Sequence, residues 1–293
     1  MNDNEIVQGK PRAGFDKVLI VTRPGDEDGK TIDVREKVIK FCDDIDMLWS
    51  IGTSSLPRGT ENVLVVAIGG DGTMLGAMRS SLRYPKSIVY GINTGTLGFL
   101  TEEYNDNLFT TLMHISRRHG QIDERMALSG SVYIDGELVL DDLVALNELV
   151  LTPLSVQSPL KAQVYINNKI VSENVGSGVL VATSTGSTAM ALSGGGAIVS
   201  PSTNIMQIVP ILPHTLTSRP VITTGRDTIS LKADITKSRN HIEVYGDGIC
   251  FGSYEKFHGS EIELKIRKHN DTVQVYRPQN WDFFNVLRVK MKW

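Results

Sequence analysis

The chain has 293 residues, 41% of them hydrophobic, which allows one large domain or two ordinary ones with real cores. Its 30 basic and 33 acidic residues give a net charge of −3, a balance that does not suggest a polyanionic partner such as nucleic acid. The sequence contains neither a run of about 18 apolar residues nor the apolar core of a signal peptide, so we expect a soluble, cytoplasmic protein without a membrane span.

The first part of the chain alternates strand and helix patterns. Short apolar runs predict strands at 18–21, 63–68 and 88–92, and apolar residues at helical spacing predict helices at 31–41, 74–82 and 108–115. The run at 63–68 is continuously apolar, as expected of a strand covered on both faces. This alternation predicts an α/β N-terminal domain with a parallel, doubly wound sheet over residues 1–124.

After about residue 125 the pattern changes to short β runs. Asp135-Gly136 and Asn167-Asn168 each separate two such runs and predict hairpins, and Asp247-Gly248 is another turn signal. Further β runs occur at 229–233, 241–245, 262–266 and 272–276, while 183–200 is rich in Gly, Ser and Thr. We therefore expect a β-rich, sandwich-like C-terminal domain over residues 125–270.

The last segment, 271–293, is expected to form a strand and a helix that pack back on one of the domains. Its end is amphipathic, with Phe284, Leu287 and Met291 at helical spacing.

Two motifs that could bind metal or phosphate are rejected on their spacing. Cys42 and Cys250 lie far apart and lack metal-ligand spacing, so two buried thiols in a reducing compartment are expected. The stretch from Gly25 to Gly29 ends in Gly-Lys-Thr, but three acidic residues stand where a P-loop has four residues that wrap a phosphate. We interpret it as an acidic loop, with Asp28 or Asp26 near the start of a helix.

The stretch Gly69-Gly70-Asp71-Gly72-Thr73 joins a predicted strand to a predicted helix. Glycines let the backbone approach a ligand, and the amides of a helix N-terminus favour phosphate. A carboxylate beside a phosphate site has two chemical uses: it can hold Mg²⁺, or it can accept the proton of an attacking hydroxyl. Asp71 could equally cap the helix, and spacing alone leaves capping and catalysis open.

Gly69–Thr73 resembles the GGDGT signature shared by NAD kinases, diacylglycerol and sphingosine kinases and related phosphofructokinases. Four further matches are similar to the ATP-NAD kinase family in particular. They are Gly91–Leu100 (GINTGTLGFL), the pair Asn147-Glu148, Thr185–Ala189 followed by Leu192–Gly195 and Pro201, and Pro213–Leu216 followed by Arg219-Pro220. The matches fall in order from about residue 62 to 252, so the resemblance covers both predicted domains.

The resemblance implies the same two-domain fold and a definite reaction. Members of the family transfer a phosphate from ATP or polyphosphate, with a divalent metal such as Mg²⁺, to the 2′-hydroxyl of the adenosine ribose of NAD. They are usually homodimers or homotetramers. Asp71 is then the proton acceptor, and Gly69, Gly70, Gly72 and Thr73 form the binding loop beside it. No residue is assigned as a metal ligand.

The remaining binding residues are also carried over from the resemblance. Asn93 and Phe99 would line the adenosine site, although Phe99 is equally well explained as a core residue. By the resemblance, Asn147 and Glu148 would bind ribose hydroxyls. Two polar residues in an apolar stretch are costly unless they are paired, which also favours a binding site here. The residues expected to contact adenine and ribose are Ser187, Thr188, Ala189, Met190 and Ser193. Ser187 or Thr188 could instead be a helix N-cap, and Arg125 is either an ion-pair partner or a surface residue.

Three positions depart from the family pattern. Ser177 stands where an aspartate commonly contacts the nicotinamide end of NAD, often from a neighbouring subunit. Met190 replaces a tyrosine, and Ile249 replaces a polar residue. Without the carboxylate, we expect NADH, whose ring has no charge, to be accepted better than usual. The alternatives to an NAD kinase are therefore an NADH-preferring kinase, another small-molecule or lipid kinase with GGDGT, and a non-catalytic dinucleotide-binding relative.

Overall fold

The structure is a computed structural model that describes residues 14–293 apart from positions 24, 26, 27, 54, 97, 105, 106, 156, 157 and 238–240. The described residues form two compact units. The first holds the residues up to Asp123 together with Gln274–Trp293, and the second is Glu124–Val273. The sequence analysis places domain boundaries at 124 and 270. No described helix is both long and apolar enough to cross a membrane.

The helices and strands alternate first and then give way to strands. Up to residue 120 they are β1 (Lys17–Thr22), α1 (Gly29–Asp44), β2 (Leu48–Ile51), β3 (Val63–Ile68), α2 (Asp71–Ser81), β4 (Ile88–Asn93), β5 (Glu102–Glu103) and α3 (Leu108–Ser116). From residue 121 to 183 they are β6 (Gln121–Ile134), β7 (Glu137–Ala145), β8 (Glu148–Pro153), β9 (Leu160–Ile166), β10 (Lys169–Gly176) and β11 (Gly178–Thr183). The rest are α4 (Met190–Ser193), β12 (Ile205–Ile211), β13 (Val221–Thr224), β14 (Ile229–Asp234), β15 (Ile242–Gly246), β16 (Ile249–Tyr254), β17 (Glu261–Arg277) and α5 (Phe283–Met291).

The first unit has a parallel sheet in the order β4-β3-β1-β2. Strand β4 also pairs in parallel with β5 and, at Val89, with Val275 at the end of β17. The chain moves from β1 to β2 in one direction and from β3 to β4 in the other. The order of the strands therefore reverses between β1 and β3, and ligands bind at such a point in open α/β sheets.

Helices cover both faces of this sheet. Val34 and Val38 of α1 and Leu112 of α3 join one core cluster with alternate residues of β1, β3 and β4. On the other face, a Cβ at Gly91 of β4 would lie 2.8 Å from Sδ of Met74 in α2. All six residues of β3 are buried because both faces are covered. The predicted doubly wound parallel sheet is confirmed.

The second unit is a β-sandwich. One sheet has six antiparallel strands in the order β13-β12-β11-β8-β15-β16, and the other contains β10, β9, β14 and β17 with the hairpin β6–β7. Buried residues from both sheets form one apolar core, as alternating inward-facing side chains require. The predicted β-rich, sandwich-like domain is confirmed.

The predicted turns are also found. The three dipeptides Asp135-Gly136, Asn167-Asn168 and Asp247-Gly248 have positive φ at both residues, as two-residue type I′ hairpin loops require. Asp28 caps α1, accepting hydrogen bonds from the backbone N and from Oγ1 of Thr31 at 2.8 and 2.7 Å. The alternative residue for this role, Asp26, lies outside the described residues.

Three expectations about particular elements and residues are wrong. The runs at 262–266 and 272–276 belong to one strand, β17, because the hydrophilic residues between them continue the extended chain. Phe284 is 65% exposed, and Phe283 takes its place on the buried face of α5, while Leu287 is buried as expected. Cys42 is buried as expected, but Cys250 lies on β16 at a sheet edge and is exposed.

Candidate active site

Asp71 is the first residue of α2 and follows β3 at the point where the strand order reverses. The turn into the helix depends on Gly69, whose φ is +148° and whose N–H donates to the carbonyl of Ile92 at 2.9 Å. A Cβ at Gly69 would lie 2.5 Å from Oγ1 of Thr73. Asp71 is therefore held at a helix N-terminus, where the helix dipole favours a negative charge.

The carboxylate of Asp71 is oriented by a second loop, Asn93–Thr101. Oδ2 accepts from the backbone N of Phe99 at 2.8 Å, and Oδ1 accepts from the backbone N of Leu100 at 3.0 Å. Oγ1 of Thr101 also donates to Oδ1, at 3.4 Å. A Cβ at Gly98 would lie 1.9 Å from Oδ1, so only glycine lets the loop approach so closely. The side chain does not cap its own helix, because its hydrogen bonds go to this loop.

Gly70 and Gly72 leave open space beside this carboxylate. Both are exposed, and a Cβ at either position would meet no atom within 4 Å. Thr73 is half-buried in the first turn of α2. The N–H groups at the start of a helix have no partner within the helix, so this loop presents donors to an anion.

Asn93 is buried, and its side chain shapes the loop that holds Asp71. Its Nδ2 donates to the carbonyl of Thr96 and to Oγ1 of Thr101, at 2.9 and 2.8 Å, while Oδ1 accepts from the backbone N of Gly95 at 2.8 Å. The amide donors are therefore occupied within the protein. Phe99 is half-buried, and Nζ of Lys290 lies 5.6 Å from its ring centroid. Contact of either residue with adenosine stays a prediction.

In the second unit, Asn147 and Glu148 lie at the start of β8, and hydrogen bonds to the backbone hold Asn147 in place. The carboxylate of Asp247 accepts from the backbone N of Leu146 and of Asn147, with its shortest bond, 2.7 Å, to Asn147. The carbonyl of Asn147 accepts from the backbone N of Thr183 at 2.8 Å. A Cβ at Gly186 would lie 2.2 Å from that carbonyl oxygen, so this close approach requires glycine.

Glu148 is the most strongly perturbed carboxyl of this region. Burial raises its pKa to about 7, the nearby charge of Asp247 adds to the rise, and a hydrogen bond from the Met190 backbone opposes it. Its Oε2 is buried and has no hydrogen-bond partner among the described residues. A buried acceptor left unsatisfied points to a missing donor, and a hydroxyl of a bound sugar would supply one.

The turn Thr185–Thr188 lies close to this pair but uses its own polar groups. Oγ of the buried Ser187 donates to the carbonyl of Val199 at 3.2 Å and accepts from its backbone N at 3.1 Å. Thr188 is half-buried, and its Oγ1 is 3.5 Å from the carbonyl of Thr185. Neither residue is the N-cap of a helix, since Ser184 and Ala189 occupy those positions. Arg125 is buried rather than at the surface, and its Nη1 donates to Oγ1 of Thr185 at 3.3 Å.

The remaining predicted residues differ in where they lie. Ala189 is half-buried, whereas Met190 and Ser193 on α4 are exposed. Ser177 is buried at the opposite end of β11 from the Thr185–Thr188 turn, and its carbonyl accepts from Oγ1 of Thr152 at 2.9 Å. A strand of this length spans about 20 Å, so Ser177 is not brought together with the turn.

The described residues contain no group of three or more His, Cys, Asp or Glu side chains placed to hold a metal ion. A Mg²⁺ ion that is bound mainly by substrate phosphates and water needs only one or two protein carboxylates. In the first unit Asp71 is the carboxylate within the glycine-rich loop Gly69–Thr73, and its two oxygens keep lone pairs beyond the amide bonds. The residues therefore fit a metal that arrives with a nucleotide, and they do not form a cage of their own.

The sequence analysis missed residues that act on the site through others. The sequence identifies Asp247 only as part of a turn, yet its carboxylate accepts a hydrogen bond from the backbone N of Asn147 at 2.7 Å. Gly98 and Leu100 lie within the motif that carries the resemblance, but their contacts with Asp71 join residues that are 27 and 29 positions apart. A buried-looking aspartate with no local partner is the signal that such a contact exists.

Comparison with known proteins agrees with this arrangement. The family model of the ATP-NAD kinase N-terminal domain matches residues 57–120, and that of the ATP-NAD kinase C-terminal domain matches residues 127–266. Relatives named NAD kinase include those of Aeromonas salmonicida, 34% identical over 80% of this chain and 78% of theirs, and of Photobacterium profundum, 33% identical over 87% and 84%.

Two solved structures are similar in fold. Yeast NADH kinase complexed with NADH has a TM-score of 0.81 at 18% identity, covering 96% of this chain and 88% of its own. An NAD kinase from Archaeoglobus fulgidus in complex with ATP has a TM-score of 0.72 at 22% identity, covering 94% and 98%. This protein therefore belongs to the ATP-NAD kinase family, as shown by the two domain matches and by relatives that are over 30% identical along most of the chain.

Proposed function

We propose that this protein transfers the terminal phosphate of ATP, or of polyphosphate, to the 2′-hydroxyl of the adenosine ribose of NAD, with Asp71 as the proton acceptor. The observation that carries the proposal is the position of Asp71. Its carboxylate stands at the N-terminus of α2, at the reversal point of a parallel sheet, and is held by the amides of Phe99 and Leu100. Membership of the ATP-NAD kinase family supports the reaction.

Asp71 acts on the attacking hydroxyl. The hydroxyl oxygen forms a bond to the terminal phosphorus while the bond from that phosphorus to the bridging oxygen of ADP breaks, and the hydroxyl proton passes to Asp71. Such transfers depend mainly on alignment and on stabilisation of charge. The amide bonds at both oxygens of Asp71 fix the direction of its lone pairs, which prepares the carboxylate to receive the proton.

The start of α2 serves the phosphates. Gly70 and Gly72 have no side chain that would obstruct an approaching ligand, and the N-terminal amides offer donors to its oxygens. A divalent cation such as Mg²⁺ would neutralise phosphate charge when bound with ATP. We assign no metal ligand among the described residues.

Residues of the second unit serve the sugar and base. The unpartnered Oε2 of Glu148 is suited to accept a hydrogen bond from a ribose hydroxyl, and the half-buried Asn147 lies next to it. Because Ser187 already makes two hydrogen bonds to Val199, we assign it to shaping the turn. Contacts of Thr188, Ala189, Met190 and Ser193 with adenosine remain part of the proposal, as does assembly into a homodimer or homotetramer.

The first test is NADP formation from NAD⁺, ATP and Mg²⁺ by the wild type and by Asp71→Asn. The amide keeps the size of the side chain but cannot accept the proton, so kcat is expected to fall about 10²- to 10⁴-fold. Binding of NAD⁺, measured by calorimetry, should change by less than about threefold, because the base acts only in the transition state. Asp33→Asn on the exposed face of α1 is the matched control and should keep wild-type turnover.

Each other outcome excludes part of the proposal. Turnover within tenfold of wild type in Asp71→Asn would remove the role of Asp71 as base. A folded wild type that binds NAD⁺ but converts neither NAD⁺ nor NADH would be a non-catalytic relative. Phosphorylation of diacylglycerol instead of either dinucleotide would place the protein with the lipid kinases that share GGDGT.

A further inference from the structure

Arg277 is a buried arginine that the proposed reaction leaves without a role. It is the last residue of β17, and 1% of its surface is exposed. Its Nη1 donates to Oε1 of Glu102 at 2.7 Å, its Nε lies 3.7 Å from Oδ2 of Asp123, and its guanidinium lies 4.4 Å from the ring centroid of Trp281. Replacing a buried ion pair by apolar residues is often neutral for stability, so stability alone is a weak reason to bury this charge.

The same guanidinium reaches the loop that orients Asp71. Nη1 of Arg277 also donates to the carbonyl oxygen of Leu100, at 3.0 Å. The backbone N of Leu100 donates to Oδ1 of Asp71, at 3.0 Å. Leu100 therefore contacts Arg277 through its carbonyl and Asp71 through its amide, and one residue separates the cation from the carboxylate.

Glu102 fixes the guanidinium in this direction. It lies two residues after Leu100, in β5, which pairs with the end of β4. Arg277 thus binds both Leu100 and Glu102 and fastens the segment between them to the sheet. Burial raises the pKa of Glu102 above its ordinary value, and the neighbouring Arg277 opposes this rise.

Phe99, the other residue whose amide holds Asp71, also contacts a residue of the C-terminal segment. Lys290 of α5 lies over the ring of Phe99, whose backbone N donates to Oδ2 of Asp71. Both residues whose amides hold Asp71 are therefore in contact with residues that follow the second unit in the chain. The contact of Arg277 is the more direct, because it is a hydrogen bond to the loop backbone.

We propose that Arg277 is a positioning residue for phosphoryl transfer: it holds the Leu100 backbone so that its N–H keeps the carboxylate of Asp71 aimed at the substrate hydroxyl. This inference rests on the proposed function. It assigns to Arg277 an effect on kcat, exerted through Asp71, and none on the binding of NAD or ATP. A merely structural arginine would affect the amount of folded protein and would not act specifically through Asp71.

The experiment is a double-mutant cycle on the full chain. Arg277→Met is expected to lower kcat by about tenfold or more and to change both KM values by less than about threefold, because misplacing a reacting group by an ångström carries a cost of this kind. In the Asp71→Asn background the same substitution should have an effect of less than about twofold, since the group it positions is gone. Arg277→Lys should recover part of kcat, because its ammonium can reach only some of the same acceptors.

Two further variants separate positioning from folding. Arg277→Met combined with Glu102→Gln removes both charges of the 2.7 Å pair, so it should recover part of the unfolding midpoint lost in Arg277→Met without restoring kcat. Arg288→Met, on the exposed face of α5, is the matched control and should keep wild-type kcat.

The proposal is overturned if Arg277→Met combined with Glu102→Gln recovers kcat together with stability. It is also overturned if Arg277→Met lowers kcat equally in the wild-type and Asp71→Asn backgrounds, or if it changes only KM. A wild type without kinase activity would refute the proposed function itself. That outcome differs from an active wild type that Arg277→Met leaves unchanged, which would refute only the role of Arg277.

Discussion

The burial of Glu148 makes the stability of the protein depend on pH. Its pKa is raised from 4.5 to about 7 by burial and by the charge of Asp247. Between these two values the folded protein holds a proton on Glu148 that the unfolded chain has lost. The free energy of unfolding therefore decreases as pH rises from about 4.5 through 7, by about 3 kcal/mol from this one group.

We predict that Glu148→Gln stabilises the protein at alkaline pH. At pH 8 the variant should be more stable than wild type by about 2 kcal/mol, and the difference should shrink towards zero near pH 5, where Glu148 is protonated. Denaturant unfolding of both proteins from pH 5 to 8 measures it. A difference that does not depend on pH would contradict the assignment of the raised pKa to Glu148.

At the residue level, the sequence predicts which residues matter better than it predicts what they touch. Asp71 and Glu148 were singled out from the motif and from the apolar context. Their actual partners, the amides of Phe99 and Leu100 and the charge of Asp247, come from distant parts of the chain. The hydroxyl of Ser187 makes two hydrogen bonds to the backbone of Val199, which the sequence pattern does not predict, and its contact with a ligand stays a prediction.

In helix α5, the sequence pattern predicts the wrong one of two neighbouring phenylalanines as the buried residue. The spacing of Phe284, Leu287 and Met291 predicts one face, but the helix buries Phe283 and Leu287, four residues apart. Asp282 begins the helix by accepting from the backbone N of Phe284 at 3.0 Å. The cap fixes the start of the helix, and packing of the helix then decides which face is buried.

The two neighbouring phenylalanines allow a matched test of this packing. Phe283→Ala should lower the free energy of unfolding by about 3 kcal/mol, because a buried ring is removed. Phe284→Ala, at a position that is 65% exposed, should change it by less than about 0.5 kcal/mol. The denaturant midpoints of the two variants are the measurement. Equal effects, or a larger effect at Phe284, would show that the helix packs on the face expected from the sequence.

Other elements were predicted well where a local pattern decides them. The limits of β3 and the three two-residue turns follow from a continuous apolar run and from residues that tolerate positive φ. Helix α2 begins at Asp71, three residues before the predicted start, because its first turn is made of the glycine-rich residues that usually indicate a loop. The sequence does not predict strands β11 and β12, because apolar runs beside a Gly- and Ser-rich stretch carry no clear period.

The fold of the whole chain does not decide which dinucleotide it phosphorylates. The solved structures that it resembles include an NADH kinase and an NAD kinase, and at those identities the likeness shows the fold alone. The two substrates differ in the nicotinamide ring, which is positively charged in NAD⁺ and neutral in NADH. A preference between them therefore depends on charges placed near that ring, in an assembly that the family resemblance expects to be a homo-oligomer.

The family resemblance expects an aspartate at the position of Ser177, and we predict that Ser177→Asp shifts the preference towards NAD⁺. The residue is buried between Gly176 and Gly178, so a carboxylate there is poorly screened by water. The ratio of kcat/KM for NAD⁺ to that for NADH should rise about tenfold, which corresponds to about 1.4 kcal/mol. Steady-state assays with both substrates on the same protein preparation give the ratio.

Ser177→Asn is the matched control, because it has the size of aspartate without the charge. It should leave the ratio within about twofold of wild type, whatever it does to the rate with either substrate. A buried carboxylate also lowers stability, but a smaller fraction of active enzyme reduces both rates equally and cancels in the ratio. If aspartate and asparagine change the ratio alike, the size of the side chain decides the preference. If neither changes it, the nicotinamide ring does not approach this position in the assembled enzyme.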